Sequence, residues 1–423
     1  MSRDRFTFLH AADVHLDSPL TGLSRYDGAP VEAIRGATRV ALRNLVDRAI
    51  TDAVDFILIA GDLYDGDWKD YNTGLYFIAE MSRLQERDID VFLVAGNHDA
   101  ASQISRRLRL PDNVVLFAKD EAQTCLLDDL DVAVHGQSYA RRDVSDDLSR
   151  NYPAPVDGLF NIGVLHTALD GRQGHALYAP CSEAGLRASG YHYWALGHVH
   201  KREVVAEDPW IVFPGNLQGR HAREDGAKGA TRVVVEDGGV TSVEHIALDE
   251  VRWFHLHVDL SDADDADDAL SVLEQRFEQT RVDADGRLAL VRVTFTGVTR
   301  SHARLRAERE RVVAECRALA ATHGGSLWLE KVRFDTRAVA SANGPLQRDD
   351  AFGELLRAIN ELDSQDEALK QFASTFEDLR KKLPTELLHA DDTFDPTSTQ
   401  TLREALDDVK ALLVERLLMS GKS

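Results

Sequence analysis

Side chains that bind metals recur in short motifs over the first half of the chain. In chain order the motifs are Asp-Val-His, Gly-Asp, Gly-Asn-His-Asp, a single His, and Gly-His-Val-His. Their nitrogen and oxygen donors, without a thiolate, favour Mn, Fe or Zn over Ca or Mg, and seven ligands exceed what one tetrahedral ion takes. We therefore expect two divalent ions that share one carboxylate, an arrangement used for phosphoryl transfer. The predicted ligands are Asp13, His15, Asp62, Asn97, His166, His198 and His200.

Each motif follows a short apolar run, so strands are expected to position the ligands. The runs are four to six residues long and alternate with helical patterns, as over residues 40–53 and 75–85. This alternation is typical of an α/β fold. Binding residues of open α/β sheets collect at the carboxyl ends of the strands. The runs cover residues 6–11, 56–60, 91–95, 162–165 and 193–196.

Some residues of these types have a second interpretation. Asp99 fits a helix cap as well as a carboxylate that orients a neighbouring histidine. His10 is expected to support the loop of the first motif and not to bind metal. His255 and His257 lie on the polar face of an alternating strand, where histidines that face solvent are expected. The loop over residues 138–158 contains an adjacent pair of arginines, which is interpreted as part of a solvated loop in preference to a nucleic-acid patch.

Taken in order, the motifs resemble those of the calcineurin-like metallophosphoesterase superfamily. Their extended forms are similar to those of DNA repair exonucleases of the SbcD type: LHAADVHLD at residues 9–17, AGDLYD at 60–65 and AGNHD at 95–99. The segment FPGNLQGRH at residues 213–221 is similar to the YhaO branch of these exonucleases. The motifs span residues 9–221, and the organisation of the family covers nearly the whole chain.

The resemblance implies a role for each motif residue. It assigns one ion to Asp13, His15, Asp62 and His200, and the other to Asp62, Asn97, His166 and His198. His98 is then a catalytic histidine outside the ligand set, because an imidazole titrates near neutral pH and can protonate a leaving oxygen. Asp99 is the second expected catalytic residue.

Three further residues are candidate contacts to substrate phosphate. Arg220 and His221 follow a Pro-Gly-Asn turn, and a purely structural role is the alternative for them. Asp65 stands where some relatives have a histidine, so its contact to phosphate is a hypothesis that rests on position alone.

Changes of pattern along the chain predict three domains. At roughly 150 residues per domain, 423 residues exceed one compact unit. The resemblance implies that residues 1–248 form a two-sheet β-sandwich flanked by helices. Strand and helix patterns over residues 249–338 predict a small α/β capping domain, and residues 339–423 a helical tail. The tail carries an apolar stripe spaced for one helix face: Leu402, Leu406, Val409, Leu413 and Leu417.

Composition narrows the class of protein. The chain has 49 Lys and Arg against 71 Asp and Glu, a net charge of −22, so nucleic acid or an anionic membrane would have to be bound locally. Three distant cysteines predict neither a disulfide framework nor a zinc ribbon, and they favour a reducing compartment. The sequence lacks the apolar run of a signal peptide or membrane span, which favours a cytoplasmic protein.

These features predict a dinuclear phosphodiesterase that prefers Mn and acts on DNA ends as an exonuclease. Whether it is also an endonuclease stays open. The resemblance implies an SMC-like ATPase partner of the SbcC or YhaN type that receives the C-terminal helices, and a homodimer also stays open. One alternative is a small-molecule or cyclic-nucleotide phosphodiesterase, which needs no capping domain or tail. The other is a non-catalytic adaptor of the ATPase, which would not need a complete site.

Overall fold

The structure is a computed structural model in which strands carry most of the first 250 residues. It describes residues 4–18, 30–65, 71–100, 109–171, 178–263 and 265–338, and beyond them 353–354, 357, 366–382, 397–399 and 402. The strands of this part are β1 (Arg5–Ala11), β2 (Phe56–Ala60), β3 (Asp90–Val94), β4 (Val114–Leu116), β5 (Gln123–Leu127), β6 (Val132–Gly136), β7 (Phe160–His166), β8 (Tyr193–Gly197), β9 (Glu203–Glu207), β10 (Trp210–Phe213), β11 (Gly229–Glu236) and β12 (Gly239–Ala247).

These strands form two six-stranded sheets with the orders β12-β11-β1-β2-β3-β4 and β5-β6-β7-β8-β10-β9. In the first sheet β1 to β4 run parallel, and in the second β6, β7, β8 and β10 do. Parallel strands end at the same edge of a sheet, so the motifs that follow β1, β2 and β3 meet there, as do those that follow β7 and β8. The expected two-sheet sandwich is confirmed.

The core between the sheets explains why these segments form strands. Alternate residues of β1 and β2 point into it, and Phe8 stacks on Phe56 with ring centroids 5.0 Å apart. From the second sheet, Tyr193 meets Phe8 edge-on at 5.2 Å. Each buried aromatic side chain of this kind stabilises the fold by about 1.5–3 kcal/mol, so the packing fixes the distance between the sheets.

Helices cover the outer faces of both sheets. The helices of this part are α1 (Val31–Thr51), α2 (Tyr71–Gln85), α3 (Asn97–Ala100) and α4 (Glu183–Ala188). Helices α1 and α2 bury Leu42, Leu45 and Phe77 against the first sheet. Leu186 of α4 packs with Trp194 on the outer face of the second sheet.

A third sheet, of order β13-β14-β15, follows. Its strands are β13 (Val251–Asp259), β14 (Leu288–Thr299) and β15 (Leu327–Ala338), and the helices are α5 (Ala266–Asp283), α6 (His302–Ala307) and α7 (Arg309–Ala321). Helices α6 and α7 are separate, because Glu308 between them leaves helical geometry. The chain divides into two compact units, 1–256 with 276–292 and 320–331, and 257–275 with 293–319 and 332–423.

The described part of the tail is short. It contains α8 (Asp366–Ser374) and α9 (Glu377–Lys382). Of the predicted apolar stripe only Leu402 is described; it is buried against Ala373 and Phe376. The other stripe residues lie outside the described residues. In the ranges that the structure covers, no helix is long and apolar enough to cross a membrane.

Candidate dinuclear metal centre

The loop after β1 is held against the loop after β2 by main-chain hydrogen bonds. The amides of Asp13 and His15 donate to the carbonyl oxygens of Gly61 and Asp62, each at 3.0 Å. The amide of His198, after β8 in the second sheet, donates to both carboxylate oxygens of Asp13 at 3.0 and 3.2 Å. The backbone therefore brings three of the predicted motifs to one place.

Asp13, His15 and His200 form one group of converging donors. The two Nε2 atoms of His15 and His200 are 3.3 Å apart, and Nε2 of His200 is 3.7 Å from Oδ1 of Asp13. Each of the three offers one ligand atom within 4.8 Å of the others. Burial, and then the charge of Arg220, lower the pKa of His15 to about 3, so its ring is neutral at physiological pH and can act as a ligand.

Asp62, Asn97 and His166 form a second group. Nδ1 of His166 donates to the carbonyl oxygen of Ala60 at 2.9 Å, which leaves Nε2 as an unprotonated acceptor. That Nε2 lies 3.0 Å from the amide oxygen of Asn97 and 3.5 Å from Oδ2 of Asp62. Three acceptors facing one another at these distances repel, and a cation between them would remove the repulsion. The donor set thus fits a divalent ion.

The aromatic ring of His198 lies beside this second group. Its centroid is 5.2 Å from that of His166. The structure therefore brings all seven predicted ligands to one edge of the sandwich. Asp62 lies between the groups, because its Oδ2 is also 3.9 Å from Nε2 of His15.

Four of the predicted ligands have a strained backbone conformation. Asp13, His15, Asp62 and His198 all have positive φ angles, a conformation that costs non-glycine residues of order 1–3 kcal/mol and tends to occur at functional sites. Glycine at position 61 is required for space as well, because a Cβ there would lie 2.4 Å from Nδ1 of His166. The Gly-Asp motif therefore lets a ligand from the second sheet approach the first.

His98 and Asp65 form a hydrogen-bonded pair at the exposed side of the site. Nδ1 of His98 is 2.8 Å from Oδ1 of Asp65, and the amide of His98 donates to Asp62 at 2.9 Å. The hydrogen bond to Asp65 raises the pKa of His98. Burial opposes ionisation of Asp65, yet polar contacts with His15, His98 and Ser18 outweigh it and hold the pKa of Asp65 well below its usual range.

Asp99 has main-chain partners. Its carboxylate accepts from the amides of Leu63, Tyr64 and Gly96 at 2.8 to 3.1 Å. It therefore ties the loop after β2 to the loop after β3, which carry Asp62 and Asn97. Burial, and then the charge of Asp62, raise the pKa of Asp99 to about 7. This geometry is that of a positioning residue.

The segment after β10 adds two charged side chains next to the metal ligands. The guanidinium of Arg220 lies 3.9 Å from Asp65 and 3.5 Å from Glu224. Glu224 is buried, and its Oε1 is 2.7 Å from Nδ1 of His200. His221 is more exposed, with Nε2 3.6 Å from Glu224.

Glu224 and Tyr139 were missed by the sequence reasoning. Glu224 is one of 71 acidic residues, and nothing in its spacing marks it. Tyr139 follows β6, a strand with no ligand motif at its end, and its buried ring meets His166 edge-on with centroids 5.5 Å apart. Because β6 is parallel to β7 and ends at the same edge, the strand pairing and not a sequence motif places Tyr139 there.

His10, the two histidines of β13 and the arginine pair belong to neither ligand group. Both ring nitrogens of His10 are bonded in the core, to Tyr193 and to the carbonyl oxygen of Leu196. His257 is exposed on β13, while His255 is half-buried. The arginine pair of the loop over residues 138–158 is exposed.

Two family models match the chain. Residues 6–202 match "Calcineurin-like phosphoesterase", and residues 253–337 match "Metallophosphoesterase YhaO, middle domain". A curated relative, the "Uncharacterized metallophosphoesterase YhaO" of Bacillus subtilis, is 36% identical over 279 residues, which are 65% of this chain and 68% of the relative. The two family models cover the strands from β1 to β8 and most of the third sheet, and they leave β9 to β12 outside their matches.

More distant relatives are similar over a smaller share. The "DNA double-strand break repair protein Mre11" of Methanopyrus kandleri is 25% identical over 273 residues, which are 58% of this chain and 56% of that protein. A solved dimetal phosphatase from Danio rerio shares 13% identity with a TM-score of 0.34, over 57% of this chain and 99% of its own. That structure is too different to support an argument.

Proposed function

The chain belongs to the YhaO family of calcineurin-like metallophosphoesterases, and from that premise we propose that it cleaves phosphodiester bonds at DNA ends with two divalent ions. The convergence of seven nitrogen and oxygen donors on one edge of the sandwich carries the proposal. DNA is the proposed substrate because relatives named as DNA double-strand break repair proteins match over more than half of the chain. Mn is the expected metal.

The ligand groups divide the proposed ions between them. Asp13, His15 and His200 would hold one ion, Asn97, His166 and His198 would hold the other, and Asp62 lies between the two groups. Bound there, divalent ions supply positive charge that offsets the charge developing on the phosphate oxygens. The carbonyl oxygen of Ala60 and the carboxylate of Glu224 keep the outer nitrogens of His166 and His200 protonated, so the inner nitrogens face the ions.

His98 is the proposed general acid. Its Nδ1 is bonded to Asp65, which leaves Nε2 as the atom that gives a proton to the leaving oxygen. The raised pKa keeps His98 protonated at higher pH, as this role requires. Asp65 thus acts through His98, and this position differs from the phosphate contact expected of it.

Arg220 and His221 are the proposed contacts to substrate phosphate. The side chain of Arg220 reaches Asp65 and Glu224, next to His98 and His200, and its Nε is buried without a hydrogen-bond partner among the described residues. The guanidinium nitrogens that reach Asp65 and Glu224 would give a phosphate oxygen a charge-assisted hydrogen bond. An SMC-like ATPase that receives the C-terminal helices is the proposed protein partner.

A nuclease assay tests the proposal. Linear duplex DNA, a cyclic nucleotide and a chromogenic phosphodiester are each incubated with the Mn-loaded protein and with Asp62→Ala as the matched inactive control. We expect the wild-type chain to shorten the duplex from its ends and the variant to leave all three substrates intact. If the wild type hydrolysed the two small substrates but left duplex ends unchanged, the small-molecule alternative would replace the proposal.

A further inference from the structure

Glu224 is a buried carboxylate on the segment between β10 and β11, and both of its oxygens are engaged. Oε1 is 2.7 Å from Nδ1 of His200. Oε2 accepts from the side-chain amide of Asn216 at 2.9 Å and from the backbone amide of Arg220 at 2.7 Å. The side chain is 7% exposed. One carboxylate therefore connects the loop after β8 with the loop that carries Arg220.

The contact with His200 fixes how that imidazole is presented. A carboxylate accepts but does not donate, so its 2.7 Å contact puts the proton on Nδ1 of His200 and leaves Nε2 with its lone pair. Nη2 of Arg220 lies farther from the same Nδ1, at 3.3 Å. That Nε2 is the atom that lies 3.3 Å from His15 and 3.7 Å from Asp13. Partners of this kind orient a ligating histidine and raise its basicity.

Glu224 also orients Arg220. It accepts the backbone amide of Arg220, and its Oε1 lies 3.5 Å from the guanidinium. On its other side the guanidinium is 3.9 Å from Asp65, the partner of His98. Without Glu224 the arginine would lose the anchor of its backbone and one of two charged neighbours.

We propose that Glu224 is a positioning residue that joins the metal ligand His200 to the phosphate contact Arg220. A single carboxylate then sets both the affinity of the ion at Asp13, His15 and His200 and the placement of the guanidinium against substrate. The inference rests on the proposed metal site but not on DNA as the substrate. The competing explanation is that Glu224 only stabilises its own loop.

Metal titration separates these explanations without any reaction. Calorimetric titration of Mn into metal-free protein is compared for wild type, Glu224→Ala and Glu224→Gln. We expect Glu224→Ala to weaken one of two Mn sites by roughly 10–100-fold, the usual effect of losing such a partner. Glu224→Gln keeps an oxygen that can accept from Nδ1, so its loss should be smaller. Two sites of wild-type affinity in Glu224→Ala would overturn the proposal.

Glu330 offers a matched control for loss of a buried carboxylate. It is paired with Arg292 between β14 and β15, at 2.8 and 3.0 Å, and is as well buried as Glu224. Glu330→Ala should lower the melting temperature of the metal-free protein while leaving Mn affinity unchanged. If Glu330→Ala weakened Mn binding as much as Glu224→Ala, the effect would come from stability and the proposal would fail.

Kinetics on a chromogenic phosphodiester at saturating Mn tests whether Glu224 places Arg220. Glu224→Ala should raise KM by about the factor found for Arg220→Ala, and the double variant should add little, since both changes remove the same contact. Fully additive increases in KM would overturn the link between Glu224 and Arg220. Because neither experiment uses DNA, a failure of the DNA proposal would leave both results interpretable.

Discussion

Asp62 lies between the two ligand groups of the site. Its Oδ2 faces the inner nitrogens of both His15 and His166, at 3.9 and 3.5 Å. Its Oδ1 accepts the amide of His98. A carboxylate between two groups of ligands contributes negative charge to both, so it is suited to bridge two cations.

We therefore expect Asp62→Ala to lose both ions and all phosphodiesterase activity. Removal of the shared charge leaves each group with fewer ligands, and the amide of His98 loses its acceptor as well. Elemental analysis after dialysis measures the outcome directly. Two tightly held ions in this variant would contradict the bridging role of Asp62.

His98→Ala is expected to behave differently, because its role is proton transfer and not coordination. Metal content should stay near that of the wild type while turnover of DNA falls roughly 10²–10⁴-fold, the range for loss of a positioned acid. Elemental analysis and a nuclease assay on the same preparation provide both values. Loss of bound metal would move His98 into the ligand set.

The pair of His98 and Asp65 predicts a pH effect. Asp65 raises the pKa of His98, so the protonated acid persists to higher pH and is lost as the pH rises through that raised value. Asp65→Asn removes the charge but keeps the shape. In this variant the alkaline limb of the pH profile of kcat/KM for a chromogenic phosphodiester should shift to lower pH, while metal content stays unchanged. An alkaline limb identical to that of the wild type would contradict this pairing.

At the scale of elements, His10 connects the two sheets. It lies on β1, donates from Nε2 to the carbonyl oxygen of Leu196 on β8 at 3.2 Å, and accepts at Nδ1 from the hydroxyl of Tyr193 at 3.0 Å. The bridge lies three residues before Asp13 and two before His198. Burial lowers the pKa of His10 to about 3, so the folded protein holds it neutral.

His10→Leu should therefore reduce the free energy of unfolding by about 1–3 kcal/mol, the usual penalty for a buried hydroxyl left unpaired. Since the folded pKa lies below 6.5, the stabilisation is complete above that pH and is lost as the pH falls towards 3. The variant should thus lose less stability than the wild type between pH 6.5 and 4. Denaturant titrations at several pH values measure both effects.

A double variant provides the control for His10. Adding Tyr193→Phe removes the hydroxyl that His10→Leu leaves unpaired, and removal of both partners is generally cheaper than removal of one. Part of the lost stability should return. If the double variant were as unstable as the sum of the two single variants, the bond between His10 and Tyr193 would not be the cause.

The positions where strands end could be predicted from sequence, because neighbouring residues in the chain determine them. An apolar run followed within two residues by Asp, Asn or His marks both a buried strand and the point where it leaves the sheet. Parallel pairing then brings these points together without further information. The ligands of β1, β2, β3, β7 and β8 follow this rule, and the structure places them at one edge.

What the sequence could not predict depends on loop conformation. The contact of Asp65 with His98 joins two loops whose backbones no periodicity describes. Glu224 reaches His200 from 24 residues away. Tyr139 lies after a strand that carries no motif, so only the pairing of β6 with β7 reveals its position. Such contacts require the fold first.

At the scale of the whole molecule, the charge of −22 constrains how DNA can be bound. The phosphate backbone contributes affinity through cations that displace its counterions. If the chain acts on DNA as proposed, that contribution comes locally, from the metal ions, Arg220 and the proposed partner protein. We therefore expect the isolated chain to bind DNA weakly and the proposed partner to strengthen that binding.

The C-terminal tail is the segment proposed to dock on the ATPase partner. An amphipathic helix buries its apolar face against something, either its own protein or another. Leu402 begins the stripe and already packs on Ala373 and Phe376 within the chain. The remaining stripe residues are predicted to dock on a partner's coiled coil or on a second copy of the chain, and packing on the chain's own capping domain is the alternative: Leu406, Val409, Leu413 and Leu417.

Changing Leu406 and Leu413 together to Glu tests this assignment. Hydrolysis of a chromogenic phosphodiester needs only the metal site, so the double variant should keep it, along with its melting temperature. Association with an SMC-type ATPase, measured by co-purification, and processing of duplex ends should both fall, because two charges in the apolar stripe oppose docking. If melting temperature and small-substrate hydrolysis fell together, the stripe would be core of this chain, and the surface that meets the ATPase would have to lie elsewhere.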